Sequence, residues 1–477
     1  MQISALLDAV PGAALLRGRA DTVVGKVCDH DADVGAGDVF VAIRGARVDG
    51  HDRLAALAHA GLAVVERDVP VPAGPAVARV PDTRLALAAL AARAEGDPGG
   101  KISVVAVTGT NGKTSTTYML AAIARAAGIR PGIIGTTGHF VDHDEVPASH
   151  TTPNAPVVQR LLAKMRDAGC GIVAMEASSI GLDARRCDAI PFRAAVFTNL
   201  TRDHLDYHGT MQAYCAAKAR LFAELNHGVA VVNADDPAFR DMVRGARAVC
   251  TYSVREPADL AATLLEQTVE GMRAQVSVGT ERHDLFLPMV GLHNLQNALG
   301  AAGAALALGI PLPVVLGGLA NFGGVPGRLE RVPNSRGVSV FVDYAHTDDA
   351  LGRVLVALRA LGPNRILTVF GCGGDRDAGK RPLMGGAAAR GSDYCIVTSD
   401  NPRNESVDAI LRDIVRGVGD APHEVVPDRA AAIARAAALS RPGDVVLIAG
   451  KGHETYQEQG GVRALFDDRT IARRAFE

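Results

Sequence analysis

Short apolar runs separated by longer stretches of mixed polarity set the pattern of this chain. Val39-Phe40-Val41-Ala42-Ile43 and Leu62-Ala63-Val64-Val65 read as strands, with a helix-like stretch from Leu54 to Ala60 between them. The middle of the chain repeats the scheme. Val104-Val105-Ala106-Val107, Gly171 to Met175, Ala194 to Thr198 and Val229 to Val232 all predict strands. The last third repeats it again with Val338 to Val342, Arg365 to Phe370, Tyr394 to Thr398 and Asp444 to Ala449. Strands alternating with helical patterns predict an α/β fold of open, largely parallel sheets, with ligands at the strand C-terminal ends.

Two breaker clusters punctuate this pattern. Gly96-Asp97-Pro98-Gly99-Gly100 precedes the first middle strand, and 321–328 is a second run rich in glycine and proline. They divide the 477 residues into expected domains 1–98, 99–327 and 328–477, in line with a length prior of about three. Leu85 to Ala94, flanked and interrupted by Arg84 and Arg93, reads as an amphipathic helix too short and too charged to span a bilayer.

Composition narrows the class. A hydrophobic content of 48% beside 21% charged residues reads as a soluble globular protein, so no membrane partner is expected. A net charge of -2 gives no electrostatic footprint for nucleic acid. The start, Met1-Gln2-Ile3-Ser4, shows no signal-peptide pattern. Seven scattered cysteines with no Cys-x-x-Cys suit reduced thiols in a cytoplasm. Cys170, Cys187 and Cys395 lie among apolar residues and are expected core fillers.

The strand at Val104 runs into Thr108-Gly109-Thr110-Asn111-Gly112-Lys113-Thr114-Ser115. Glycines there let bare backbone N–H groups close on an anion, and a helix starting at Thr114 adds partial positive charge. Lys113 would reach the β- and γ-phosphates of ATP, and the Thr114 hydroxyl could ligate Mg²⁺. The general phosphate-loop pattern wants glycine at 107, where this chain has Val107.

Other polar clusters follow middle strands. Glu176 ends the run from Gly171, where a carboxylate can hold Mg²⁺ opposite the phosphate loop. His204 lies in Asn199-Leu200-Thr201-Arg202-Asp203-His204-Leu205-Asp206-Tyr207-His208. Lys218 sits on an alanine-rich stretch, where an ordinary lysine is solvated.

The Thr-Gly-Thr-Asn-Gly-Lys-Thr loop and the Asn-Leu-x-x-Asp-His-Leu-Asp-x-His segment resemble the Mur ligases and their folylpolyglutamate synthase relatives. In the last third, Asp343-Tyr344-Ala345-His346 and Gly371-Cys372-Gly373-Gly374-Asp375-Arg376-Asp377 resemble the C-terminal domain of the same family. These glycines are no dinucleotide fingerprint, because Arg376 stands where the last glycine would be needed.

The resemblance implies a uridine-binding N-terminal α/β domain, a central P-loop ATPase-like parallel sheet and a Rossmann-like C-terminal domain. It implies ATP contacts from Gly109 to Ser115, Arg328 and Asp343, with catalytic roles for Lys113, Glu176, His204 and Lys218. It implies that Lys218 is carbamylated, which would replace an ammonium by an anionic oxygen pair suited to Mg²⁺. Thr151, Thr152, Ser178 and Arg186 match segments that contact the UDP-muramoyl dipeptide. Ala184 departs from the glutamine of close relatives. In the first domain, His30, Asp31 and Ala32 stand where relatives show Asp-Ser-Arg.

Asp400-Asn401-Pro402-Arg403 resembles the signature of family members that add meso-diaminopimelate. That amino acid carries a second carboxylate, which a guanidinium grips through two parallel hydrogen bonds. Arg376 would take a carboxylate as well, with Gly450 and Glu454 closing the pocket. The implied substrates are ATP, UDP-N-acetylmuramoyl-L-Ala-D-Glu and meso-diaminopimelate, used by a monomer. A lysine-adding Mur ligase, a folylpolyglutamate-type synthase and a nucleotide-dependent scaffold without ligase activity remain as alternatives.

Overall fold

The computed structural model describes residues 1–45, 48–146 and 150–477. The fold is mixed α/β, and the chain divides into two compact units. One comprises Met1–Tyr252 with Gly300–Gly318, the other Ser253–Leu299 with Leu319–Glu477.

The first unit holds two sheets. In the smaller, the strands run in the order Ala14–Arg17, Ala76–Arg79, Leu62–Val65, Val39–Val41, Val27–Cys28, and all but the first are parallel. The larger has a parallel core ordered Ala248–Ser253, Asn226–Asn233, Phe192–Phe197, Ser103–Thr108, Ile172–Glu176, Pro131–Gly135. Gly138–Val141 and Asp144–Val146 extend it as an antiparallel meander. Registers place Glu176 beside Val107 and Phe197 beside Thr108, so three central strands end at one edge. Loops leaving that edge are where an open α/β sheet presents its ligands.

The second unit carries a six-stranded sheet ordered Glu330–Val332, Ser339–Asp343, Val445–Ala449, Ile366–Phe370, Tyr394–Val397, His423–Val425. Only Glu330–Val332 runs antiparallel. Alternating strand residues feed two cores. Phe341, Leu447 and Phe370 lie in one, Val340, Val446 and Val369 in the other. Burial on both faces explains the near-continuous apolar runs.

Two expectations need correction. The stretch read as helical from Leu54 to Ala60 is a 3-10 segment, Gly50–Ala56, capped by the Asp49 carboxylate accepting from the His51 N–H. The helix read as amphipathic is Thr83–Ala94, buried at Ala86, Leu87, Ala88, Leu90, Ala91 and Ala92. Small side chains let neighbouring segments close on most of its circumference, so it shows no single apolar stripe. The largely parallel scheme holds, and beside it the strands Leu260–Thr268, Gly271–Val278 and Glu281–Leu287 form an antiparallel ladder.

Candidate active site

Strand Ser103–Thr108 gives way to the phosphate loop, and helix Lys113–Ala126 starts one residue earlier than the sequence suggested. Val107 belongs to the strand, fully buried and paired with Glu176 on one side and Val196 on the other. The loop therefore begins only at Gly109, which is why the general pattern's glycine at 107 has no place here. Gly109 has φ +148°, and a Cβ there would come within 1.9 Å of the Thr198 hydroxyl. Only glycine fits this close approach.

The loop is fastened from the neighbouring strand. Asn199 Oδ1 accepts from the Asn111 N–H at 2.9 Å, and the Thr198 hydroxyl donates to the Asn111 carbonyl at 2.6 Å. Thr110 Oγ1 accepts from the Thr201 N–H and shares a 3.1 Å bond with the Tyr214 hydroxyl. Thr114 and Ser115 are buried in the first helical turn. Lys113 Nζ donates to the carbonyls of Gly109 and Thr110 at 2.9 and 2.8 Å.

Lys218 is not solvated. It is 1% exposed on helix Met211–Arg220, with Nζ donating to the Gly109 carbonyl at 2.9 Å and lying 4.5 Å from the Tyr214 ring centre. Burial pushes its pKa well below the usual lysine value, and the nearby Lys113 charge pushes the same way. His204 sits at φ 51°, half exposed, its Nε2 3.5 Å from Asp203 Oδ2 and its ring edge-on to Tyr214. Burial lowers its pKa too, against the pull of Asp203.

Glu176 is 1% exposed and accepts from both the N–H and the hydroxyl of Thr136, at 2.9 and 3.0 Å. Its carbonyl accepts from the Thr152 hydroxyl, which in turn accepts from the Ser178 N–H. Arg186 Nη1 donates to the Thr152 carbonyl at 2.8 Å, and Thr151 meets Thr136 through their hydroxyls. The structure thus gathers Thr151, Thr152, Ser178 and Arg186 behind Glu176. Ala184 is only the C-cap of helix Ser179–Asp183, and Asp31 opens a 3-10 turn capped by His30.

Sequence reading missed Asp29. It accepts from Asn154 Nδ2 at 2.9 Å; burial raises its pKa, and the Arg186 charge opposes that rise. Asn154 follows Thr151-Thr152-Pro153 directly, so that polar run was the available signal. Among the described residues, no three His, Cys, Asp or Glu side chains gather to hold a metal by themselves.

In the second unit, Asp343 accepts from the N–H groups of Leu329 and Ala345, both at 2.7 Å. Burial raises its pKa, with Arg328 and these two bonds opposing. The Arg328 guanidinium lies 4.5 Å from the Tyr344 ring centre, and its Nε is buried without a partner.

Gly373 separates two arginines. A Cβ there would come within 3.0 Å of Arg403 Nη1 and 3.9 Å of Arg376 Cγ. Arg376 is exposed, whereas Arg403 is half-buried and donates to the Gly374 carbonyl at 2.8 Å. Arg403 adopts φ 50°, held by its N–H to the Glu458 carbonyl and its carbonyl from the Gly460 N–H. A strained non-glycine backbone of this kind persists only where the surroundings enforce it. Here the hairpin Tyr456–Gln459 and Val462–Leu465 does so.

Asp400 lies beside Gly450, whose absent Cβ would fall 2.6 Å from Asp400 Oδ2. Asn401 Nδ2 donates to Glu454 Oε2 at 2.8 Å, and Pro402 is buried. Arg429, which no motif in the chain singles out, is buried beneath this group. It makes two bonds to Asp468 at 2.7 and 2.8 Å and one to the Ala449 carbonyl. Arg403 thus packs against Gly373, while Asn401 ties Glu454 to the segment that carries Asp400.

The Mur ligase middle domain matches residues 107–305, and the Mur ligase glutamate ligase domain matches residues 327–452. The chain is 41% identical, over 100% of its length and 99% of the relative's, to the UDP-N-acetylmuramoyl-L-alanyl-D-glutamate--2,6-diaminopimelate ligase of Geobacillus thermodenitrificans. It is 44% identical to the Gloeobacter violaceus protein of that name, over 96% and 95% of the two chains. A solved structure of that name aligns with a TM-score of 0.74 and 32% identity, covering 100% of this chain and 99% of the other. With full-length relatives at this identity, this chain belongs to the Mur ligase family.

Proposed function

We propose that this chain is an ATP-dependent, ADP-forming ligase of peptidoglycan synthesis. It joins meso-2,6-diaminopimelate to UDP-N-acetylmuramoyl-L-alanyl-D-glutamate. The observation that carries the substrate choice is Arg403, packed against Gly373 in the segment that also carries Asp400 and, through Asn401, holds Glu454. A second carboxylate and a second ammonium on one amino acid call for such a pocket.

The reaction has two steps. A carboxylate oxygen of the dipeptide attacks the γ-phosphorus, and ADP leaves with the electrons of the broken P–O bond. The diaminopimelate amine then attacks the acyl-phosphate carbon, and phosphate departs as the nitrogen loses its proton. Gly109 to Ser115 hold the phosphates through backbone N–H groups, and Lys113 balances charge as the γ-phosphoryl moves. Arg328, with its unpaired Nε, and Asp343 serve the nucleotide. Thr151, Thr152, Ser178 and Arg186 hold the dipeptide near Glu176.

A magnesium ion suits the donors present, because Mg²⁺ keeps waters and takes one or two carboxylates plus substrate phosphates. Glu176, His204, the Thr114 hydroxyl and Lys218 as its carbamate would hold it, and it would neutralise phosphate charge. Carbamylation needs an uncharged amine, which the depressed pKa of Lys218 supplies. The reading carries with it a cytoplasmic monomer built of domains 1–98, 99–327 and 328–477, engaging neither nucleic acid nor membrane. No described helix is long and apolar enough to cross a bilayer.

ADP release with UDP-muramoyl dipeptide tests the proposal. Turnover is expected with meso-diaminopimelate and not with lysine or without an amino acid. Equal use of lysine would overturn the substrate, and silence with every amino acid would overturn the ligase.

A further inference from the structure

Lys451 is a lysine whose side chain is 0% exposed. It follows strand Val445–Ala449 by two residues, and its Nζ donates to Asn401 Oδ1 and to Glu454 Oε2, both at 3.0 Å. Asn401 Oδ1 also accepts from the Glu458 N–H at 3.0 Å, while Asn401 Nδ2 donates to Glu454 Oε2 at 2.8 Å.

These bonds leave little choice of orientation. Two donors on Oδ1 fix which way the Asn401 amide points. Two donors on Oε2 fix the Glu454 carboxylate and leave Oε1 without a hydrogen bond among the described residues. An ion pair this buried gains little net stability over apolar packing, because desolvation offsets the attraction. What it supplies is direction.

We infer that Lys451 is a positioning residue for amino-acid selection, aiming Asn401 and Glu454 at the distal ammonium of the incoming amino acid. The inference rests on the reading above, in which Asn401 and Glu454 form the amino-acid pocket. Lys451 itself touches no substrate. Its removal frees the amide to rotate and lets the carboxylate turn toward whatever donor remains, so binding of the amino acid weakens while nucleotide binding does not.

A double-mutant cycle in the full-length enzyme tests this, using Lys451→Met, Glu454→Gln and the pair together. Lys451→Met removes the charge at similar length. Its KM for meso-diaminopimelate is expected to rise on the order of tenfold or more, with the KM for ATP within about twofold of wild type. Because Lys451 acts in part through Glu454, the double variant's KM should exceed that of Glu454→Gln by less than the full factor of the single lysine change. A lower melting temperature with an unchanged KM for the amino acid would show a merely structural lysine and overturn the inference. So would a double variant whose KM exceeds that of Glu454→Gln by the full factor of the single lysine change. Should Lys451→Met not fold, Lys451→Arg, which keeps the charge but moves the donors, decides instead: a raised KM for the amino acid supports the inference, and an unchanged one overturns it. An unchanged KM in Glu454→Gln removes the pocket assignment itself, a result distinct from failure of the lysine's role.

Discussion

Lys113 and Lys218 both donate to a single carbonyl oxygen, that of Gly109, each at 2.9 Å. One lysine opens the helix after the phosphate loop, and the other comes from helix Met211–Arg220. Two ammonium groups on one acceptor repel each other, and the buried one is the group whose charged form suffers. The conflict is relieved when negative charge arrives, as phosphate beside Lys113 or as carboxylate on Lys218. The loop is thus set up for anions.

Lys113→Ala should reduce ADP formation by on the order of a hundredfold or more, since it removes the loop's charge-balancing group. The fold should persist, because a partly exposed loop lysine lies outside the apolar core. Turnover assays paired with a melting curve check both halves. Undiminished turnover would remove the phosphate-loop assignment.

Lys218→Ala should also be inactive, and here a small carboxylate such as acetate or formate should restore part of the rate. The missing group in this reading is an anionic oxygen ligand, which a free carboxylate can imitate. A carbamate should be visible as added density on Nζ at high resolution. An unmodified lysine in an active, bicarbonate-supplied preparation would count against it.

The strand, loop and helix around Gly109 were legible in the chain, and what was not has physical causes. Thr108 to Thr114 and the residue before each loop could be read because strand, glycine and helix signals coincide within a few positions. The buried state of Lys218 could not. Its neighbours Ala216, Ala217 and Ala219 show no apolar stripe, and the group that shelters it is Tyr214, tied to Thr110 more than a hundred residues away in sequence. The Arg429–Asp468 pair is equally invisible, since a sequence does not say which distant carboxylate meets a given arginine. The antiparallel ladder from Leu260 to Leu287 was missed because its strands mix polar and apolar residues on an exposed surface, as at Leu265, Glu266 and Arg273. The domain pattern came from breaker clusters, a signal for chain flexibility that does not report which segments pack together.

Acid should weaken the second unit through its histidines. His293 and His453 are both held down to about 4, chiefly by burial, with positive charge from Arg353 and Arg328 respectively adding to it. The unfolded chain titrates near about 6.5, so between that pH and about 4 it binds more protons than the fold does. Stability therefore falls as pH falls through this window. Melting temperatures across it should decline, and less steeply in His453→Gln. An identical slope in the variant would reject the contribution of His453.

Arg403 offers the sharpest test of amino-acid choice. Its backbone is held at φ 50° by the hairpin, and its Nη1 already donates to the Gly374 carbonyl. The guanidinium therefore has a fixed anchor on one side, with further N–H donors available for a carboxylate. Truncating one partner of a buried charge pair costs about 2–5 kcal/mol, and partial exposure places Arg403 toward the lower end. Arg403→Ala should then raise the KM for meso-diaminopimelate about thirtyfold or more, a loss near the bottom of that range. The KM for ATP should stay close to wild type, since the nucleotide contacts assigned above lie elsewhere. Lysine need not become a better substrate, because a pocket built for a zwitterionic head still lacks good contacts for its side chain. Steady-state kinetics with both amino acids would separate these outcomes. An unchanged KM for meso-diaminopimelate would place its distal carboxylate on Arg376 instead.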